Sequence, residues 1–167
     1  KIRRMETRVT ANTISGTEYY TLPDDYVAMR NIKLNTDPKT PLDFLTPEIM
    51  DRLQAGSNTG CPKAYSIKGN NIQIRPIPDG VYEIEVSYYK TFTPLSDSNT
   101  TNDMLTHHPD VYLYGSLVEA EPYLMNDKRI QIWQGFYERA KADIITSNER
   151  DRHSGTTPVT RIDYGLH

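Results

Sequence analysis

Cysteine is almost absent from this sequence. Cys61 stands alone, so no disulfide can close within the chain. That fits assembly in a reducing compartment such as a bacterial cytoplasm. Long apolar runs are missing as well. No stretch reaches the roughly 18 apolar residues that a membrane-crossing helix needs, and no segment has the layout of a secretory signal. Charge of one sign is not concentrated. The formal net charge is −3 and the isoelectric point about 5.8, which gives no general basic face for duplex DNA. The one basic cluster, Lys1, Arg3, Arg4 and Arg8, reads as a solvated or subunit-contacting segment. Core-forming residues are scarce too. Leu, Ile, Val and Phe together number 35 of 167, close to the composition of chains that do not fold alone.

Tyrosine is abundant. There are twelve, with one tryptophan, and each brings a large apolar face with a polar tip. A small net charge and this aromatic content predict a folded domain with a modest core. Much of its surface is amphipathic and suited to contact with other chains.

The first two-thirds reads as β. Strands are expected over residues 6–14, 19–22 and 27–34, separated by Ser15-Gly16 and Pro23-Asp24-Asp25 turns. A short helix is signalled over 46–54 by Thr46-Pro47-Glu48, with Gly56 as its stop. The clearest signal is a hairpin, 64–68 and 72–75, around Gly69-Asn70-Asn71. Residues 82–90 then alternate. Tyr82, Ile84, Val86 and Tyr88 share one face, and Glu83, Glu85 and Ser87 the other, so the second face is expected to be wet. These segments suggest an antiparallel meander or a small sandwich. The polar stretch SDSNTTND (96–103) reads as a linker. After it the period changes to that of helices. One is expected over 109–121, with Val111, Tyr114, Leu117 and Val118 on a stripe and Pro122 as its breaker. A second is expected over 128–147 behind an Asn126-Asp127 cap, with Ile130, Trp133, Tyr137, Ala140 and Ile144 as its seam. Periodicity then stops. The fold class is therefore α+β: a β-rich part over 1–103, a helical part over 104–148 and an extended tail over 149–167 that orders against a partner surface.

Cues for chemistry are weak. His107, His108 and Asp110 are rich in ligand types, but adjacent side chains do not converge on one helix face. Asp97, Asn99 and Asp103 fail the calcium-loop pattern at its central glycine and its closing glutamate. Asn99-Thr100-Thr101 has the form of a glycosylation site but no secretory context. Glu119, Glu121 and Asp127 read as a solvated helix face, and Cys61 has no nearby base in sequence. No phosphate-cradling glycine loop and no G-x-S-x-G elbow appears. No catalytic residue, metal site or cofactor is expected. The tyrosine clusters, Tyr88-Tyr89 above all, admit two readings: half-buried core and interface, or a sugar-stacking platform of a carbohydrate-binding module.

Several stretches resemble one family. YTLPDDYVAM (20–29) looks like the start of the tailed-bacteriophage head–tail connector adaptors. PKAYSIKGNNIQIRPIPDGVYEIEVSYYK (62–90) is similar to that family's central hairpin. TPLSDSNTTNDML (93–105) and HPDVYLYGSLVEAEPYLMNDKRIQIWQGFYERA (108–140) resemble its C-terminal half. The resemblance spans most of residues 6–144.

It implies a structural subunit, not an enzyme, that forms a ring of about twelve copies docked under the portal. A downstream tail or nozzle protein would sit on its other side. DNA would pass through the channel as non-specific cargo, in the virion and without a membrane partner. Family members commonly carry helical sequence ahead of this chain's first residue, so part of the helical layer is expected outside it. The resemblance implies that the helices build the ring. Ring and portal contacts are expected at Tyr114, Trp133 and Tyr137, and at Arg152, Arg161 and Tyr164 in the tail. Deleting residues 155–167 is expected to weaken attachment to the portal, and heads that keep a normal complement of the shortened chain would refute that role.

Overall fold

The computed structural model describes residues 1–52, 58–120, 123 and 128–153, with the side chains of Arg152 and His153 left out of account. Two compact units emerge. One comprises Met5–Thr91; the other joins Lys1–Arg4 to the chain from Phe92 onward.

The first unit is a sandwich of two four-stranded sheets. β1 (Glu6–Asn12), β8 (Glu83–Lys90), β3 (Tyr26–Leu34) and β4 (Thr40–Pro41) form one sheet in that order, antiparallel throughout. β2 (Tyr19–Thr21), β7 (Asn71–Arg75), β6 (Ala64–Lys68) and β5 (Asp43–Phe44) form the other, where only the β5–β6 pair is parallel. Of the two β arrangements open from sequence, the sandwich is the one adopted, because both sheets turn apolar faces into one core. Ile32, Leu34, Ile84, Val86 and Tyr88 come from the first sheet, and Tyr65, Ile72 and Ile74 from the second.

Local chemistry explains the strand ends. In the β6–β7 hairpin Lys68 faces Asn71, which leaves Gly69-Asn70 as a two-residue loop. Gly69 takes φ +58, a left-handed conformation that such loops require and that glycine adopts without a Cβ penalty. α1 (Pro47–Arg52) starts where sequence placed it, with Met50 N–H donating to the Thr46 carbonyl. Its proposed stop at Gly56 lies outside the described residues. Met50 is fully buried.

One expectation fails in β8. Its second face is wet only at Glu83: Glu85 and Ser87 are buried. β8 is a central strand, flanked by β1 and β3. Lys39 Nζ donates to Glu85 Oε2 at 2.9 Å, and Arg8 Nη1 stands 3.8 Å from the same oxygen. The Lys39 hydrogen bond, with the charges of Lys39, Arg8 and Lys33, holds the Glu85 carboxyl below its ordinary 4.5, against a burial effect that raises it.

In the second unit α2 (Asp103–His107), α3 (Pro109–Glu119) and α4 (Ile130–His153) follow one another. α2 falls across the end of the expected linker. Asn102 caps it, accepting from Leu105 N–H at 2.8 Å, and Asp103 sits in its first turn. Asn102 Nδ2 also donates to the Thr93 carbonyl at 3.0 Å and to Tyr112 Oη at 2.9 Å. These bonds tie the stretch after Thr91 to the helices, so the division falls between Thr91 and Phe92 and not at Asp103. α4 runs to His153, beyond the expected end at Ser147. Residues 149–153 are thus helical where an extended tail was expected. The rest of that tail, with Arg161 and Tyr164, lies outside the described residues, as do Pro122 and the Asn126-Asp127 cap.

Ile32→Ala is expected to cost about 2–5 kcal/mol of stability in urea unfolding, because the side chain is fully buried and the sandwich can collapse only partly around the gap. Glu85 yields a pH signature. Its folded pKa is depressed, so its stabilisation is complete above the ordinary carboxylate value and disappears as pH falls through the folded one. Glu85→Gln should flatten that part of the acid limb; an unchanged pH profile of the unfolding midpoint would contradict the assignment.

Candidate assembly surface

The helical unit has little interior of its own. Among the described residues only Ala140 and Ile144 of its apolar side chains are buried. α3 and α4 meet where Gly115 lets the Tyr137 ring in: a Cβ on Gly115 would stand 3.2 Å from Tyr137 Cε2. Beside that contact Tyr114 stacks on Phe136, with ring centroids 5.1 Å apart. Lys141 Nζ lies 5.0 Å from the Tyr137 ring centroid and the Arg129 guanidinium 5.2 Å from that of Trp133.

Around this seam large apolar groups face water. Leu113 is 55% exposed, Ile132 57% and Phe136 44%. Ile132 and Phe136 are four apart on α4 and so share a face. Ile145 is exposed further along the same helix. Their spacing extends the predicted seam sideways. The sequence signal for it was present: Ile132, Phe136 and Ile145 are apolar residues that the stripe through Trp133 and Tyr137 leaves out. Of the expected contact residues, Tyr114 and Tyr137 are partly spent on the α3–α4 packing, Trp133 is half-buried, and the Arg152 side chain, Arg161 and Tyr164 are not described.

The N-terminal arginines have partners within this unit. Arg3 N–H donates to Asn148 Oδ1 at 2.6 Å, and Arg3 Nη1 to the Asp151 carbonyl at 2.7 Å. These bonds fasten the last two turns of α4, which carry no apolar stripe and were therefore illegible as helix. Arg4 Nη1 lies 3.2 Å from His107 Nε2 and 3.5 Å from Asp103 Oδ1. A guanidinium can only donate, so Nε2 accepts and the proton sits on Nδ1, which donates to the Asp103 carbonyl at 2.9 Å. His107 is thus occupied at both nitrogens by this chain.

Most tyrosines of the β unit are turned inward, although Tyr19 is exposed and Tyr89 half-buried. Tyr65 and Tyr88 are buried in the core, and Tyr26 packs on Tyr88 at 6.0 Å between centroids. Their hydroxyls are used internally. Tyr88 donates to Asp25 Oδ1 at 3.0 Å, and Tyr20 to the carbonyls of Ile14 and Thr17. Tyr82 donates to Asp79 Oδ1 at 2.6 Å, and that bond pushes its phenol up to about 12. A sugar-stacking face needs exposed rings, and Tyr88 supplies none. Among the described residues no group of three or more His, Cys, Asp or Glu side chains is placed to hold a metal ion, and no helix is long and apolar enough to cross a membrane.

No curated protein matches the chain. A family model, SU10 adaptor protein, matches it over residues 1–161. With nearly the whole chain covered, a sandwich unit followed by an incompletely packed helical unit is the form this sequence gives to a structural part of a bacteriophage, and the chain belongs to the SU10 adaptor protein family, a phage head–tail adaptor family.

Proposed function

We propose that the chain is a structural subunit of the head–tail connector, a non-enzymatic adaptor whose copies form a ring of about twelve, the count that the family resemblance implies, between portal and tail. The DNA passes through the ring without sequence-specific contact. One face receives the portal and the other the next tail component, and the subunit travels in the virion. One observation carries this reading. The helical unit buries only two of its described apolar side chains while Leu113, Ile132 and Phe136 stay exposed beside the Tyr114–Phe136 stack. Apolar area of that kind is stabilised by burial against another protein surface, at roughly 25 cal/mol per Å² before the costs of association. Aromatic residues at the centre of such a patch contribute most to binding.

The helices therefore form the ring contacts, with Tyr114, Trp133 and Tyr137 at the seam and Ile132 and Phe136 presented to the neighbouring copy. Arg152, Arg161 and Tyr164 extend the contact surface at the C-terminal end. The scarcity of enclosed apolar volume and the internally satisfied tyrosine hydroxyls favour this reading over a sugar-binding module.

Native mass spectrometry of the full chain, alone and with its portal, tests it. Species at ring multiples of 19.2 kDa are expected. Ile132→Asp with Phe136→Asp should weaken assembly on the order of thirtyfold or more, as loss of a central apolar anchor of about 2 kcal/mol implies. Ile132 faces solvent, whereas Phe136 also stacks on Tyr114, so Ile132→Asp alone, with its thermal unfolding measured beside its assembly, separates a lost interface from a loosened α3–α4 pair: unchanged unfolding with weaker assembly is expected. A double variant that assembles normally would remove these residues from the interface, and a wild-type chain that stays single with its portal present would end the connector reading.

A further inference from the structure

Among the described residues β1 is the one long open edge of the sandwich. The other sheet-edge strands, β2, β4 and β5, have three, two and two residues, whereas β1 has seven. Two hydrogen bonds fix which of its peptide groups are free. Thr13 N–H donates to the Tyr82 carbonyl, and Asn35 N–H to the Glu83 carbonyl. In an antiparallel ladder the groups of successive residues point to opposite sides. Tyr82, Ile84, Val86 and Tyr88 therefore point their peptide groups at β1, and Glu83 points away from it. The β1–β8 register pairs Ile84, Val86 and Tyr88 with Ala11, Val9 and Thr7. The N–H and C=O groups of Glu6, Arg8, Thr10 and Asn12 are left facing outward. Arg8–Asn12 is exposed throughout, Val9 at 45%, although its register partner Val86 is core. An edge this long and this open is a template for another strand.

The sequence contains a segment that fits it. Residues 159–164, VTRIDY, are rich in β-branched and aromatic types and alternate, with Thr160, Ile162 and Tyr164 on one side and Val159, Arg161 and Asp163 on the other. Pro158 stands just ahead, where its missing N–H costs no ladder bond. We propose that residues 159–164 of one copy add as an antiparallel strand to the β1 edge of a second copy, with Ile162 opposite Val9. That register places Tyr164 beside Thr7 and Thr160 beside Ala11 on the core side, and covers Val9. On the other side it sets Asp163 opposite Arg8, whose side chain is 69% exposed. It also brings Arg161 opposite Thr10, in the row that holds Glu85. A slip of one residue reverses both faces. Among the described residues no strand covers this edge, and the proposal commits to a second copy as the donor. The five residues between His153 and residue 159 reach at most about 18 Å, enough to leave their own helix.

The proposal rests on the reading that copies stand side by side, and its test separates the two. Cys61→Ser is combined with Val9→Cys and Ile162→Cys. The two new cysteines would form a non-hydrogen-bonded antiparallel pair, which has the close Cα spacing that suits a disulfide. After mild oxidation of the full chain under conditions where light scattering reports multimers, a ladder of disulfide-linked chains is expected on a non-reducing gel. The control Val9→Cys with Arg161→Cys, out of register, should give little. Asp163→Arg should reduce the ladder at least severalfold, and Asp163→Glu, which keeps the charge opposite Arg8, should retain it. A bond within one chain, dimers that form through Val9→Cys without Ile162→Cys, or multimers that never link would each overturn the proposal while leaving the connector reading intact. A chain that stays single under all conditions would sink both.

Discussion

The β1–β8–β3 ladder is the constraint on which the sandwich depends. β8 runs between strands from the start of the unit, so Glu6 meets Tyr89 and Leu34 meets Ile84. These contacts join residues far apart in sequence, and their loop-closure entropy is offset only when β8 docks. Its core face supplies Ile84, Val86 and Tyr88. Its other face carries a buried carboxylate that is tolerable only because Lys39 donates to it and Arg8 stands near. In the second sheet the same device recurs. Arg75 Nη2 donates to Glu18 Oε1 at 2.7 Å, and Gln73 Nε2 donates to the same oxygen. Buried charge is paired in both sheets, so a thin apolar core suffices.

Apolar residues are unevenly shared between the two units. The sandwich takes Ile32, Ile72, Ile74, Ile84 and Val86 into its interior. The helices keep Ala140 and Ile144 inside and leave larger groups outside. In a chain where Leu, Ile, Val and Phe total only 35, that distribution has a cost and a use. The cost is a helical pair whose packing rests on one seam. The use is a surface ready for a neighbour.

Much of this was legible from sequence, for identifiable reasons. The β6–β7 hairpin and the start of α1 were marked by residues whose backbone preferences act locally, Gly69 and Pro47. The helix seam through Trp133, Tyr137, Ala140 and Ile144 was marked by its period. Three features were hidden. The burial of Glu85 depends on β1 and β3 flanking β8, which no pattern inside residues 82–90 records. α2 is one and a half turns long and sits in a stretch so polar that composition masked its Asn102 cap. The last turns of α4 are polar on every side and are held by Arg3, a residue about 145 positions earlier. Of the assembly surface, the seam was readable and the apolar types at Ile132 and Phe136 were visible beside it, but their exposure was not, because periodicity shows which face is apolar and not how much of it a single copy covers.

The division of the chain gives the sandwich an unusual status. It is inserted between Arg4 and Phe92 of the other unit, and its first and last strands are paired side by side, Glu6 against Tyr89. Its point of departure and its point of return therefore coincide. A module hung from two adjacent threads can be lengthened, replaced or excised in evolution while the helical framework keeps its own connectivity. Pulled from those same two threads, it opens like a zip, one pair of inter-strand hydrogen bonds at a time, and does not resist as a shear joint.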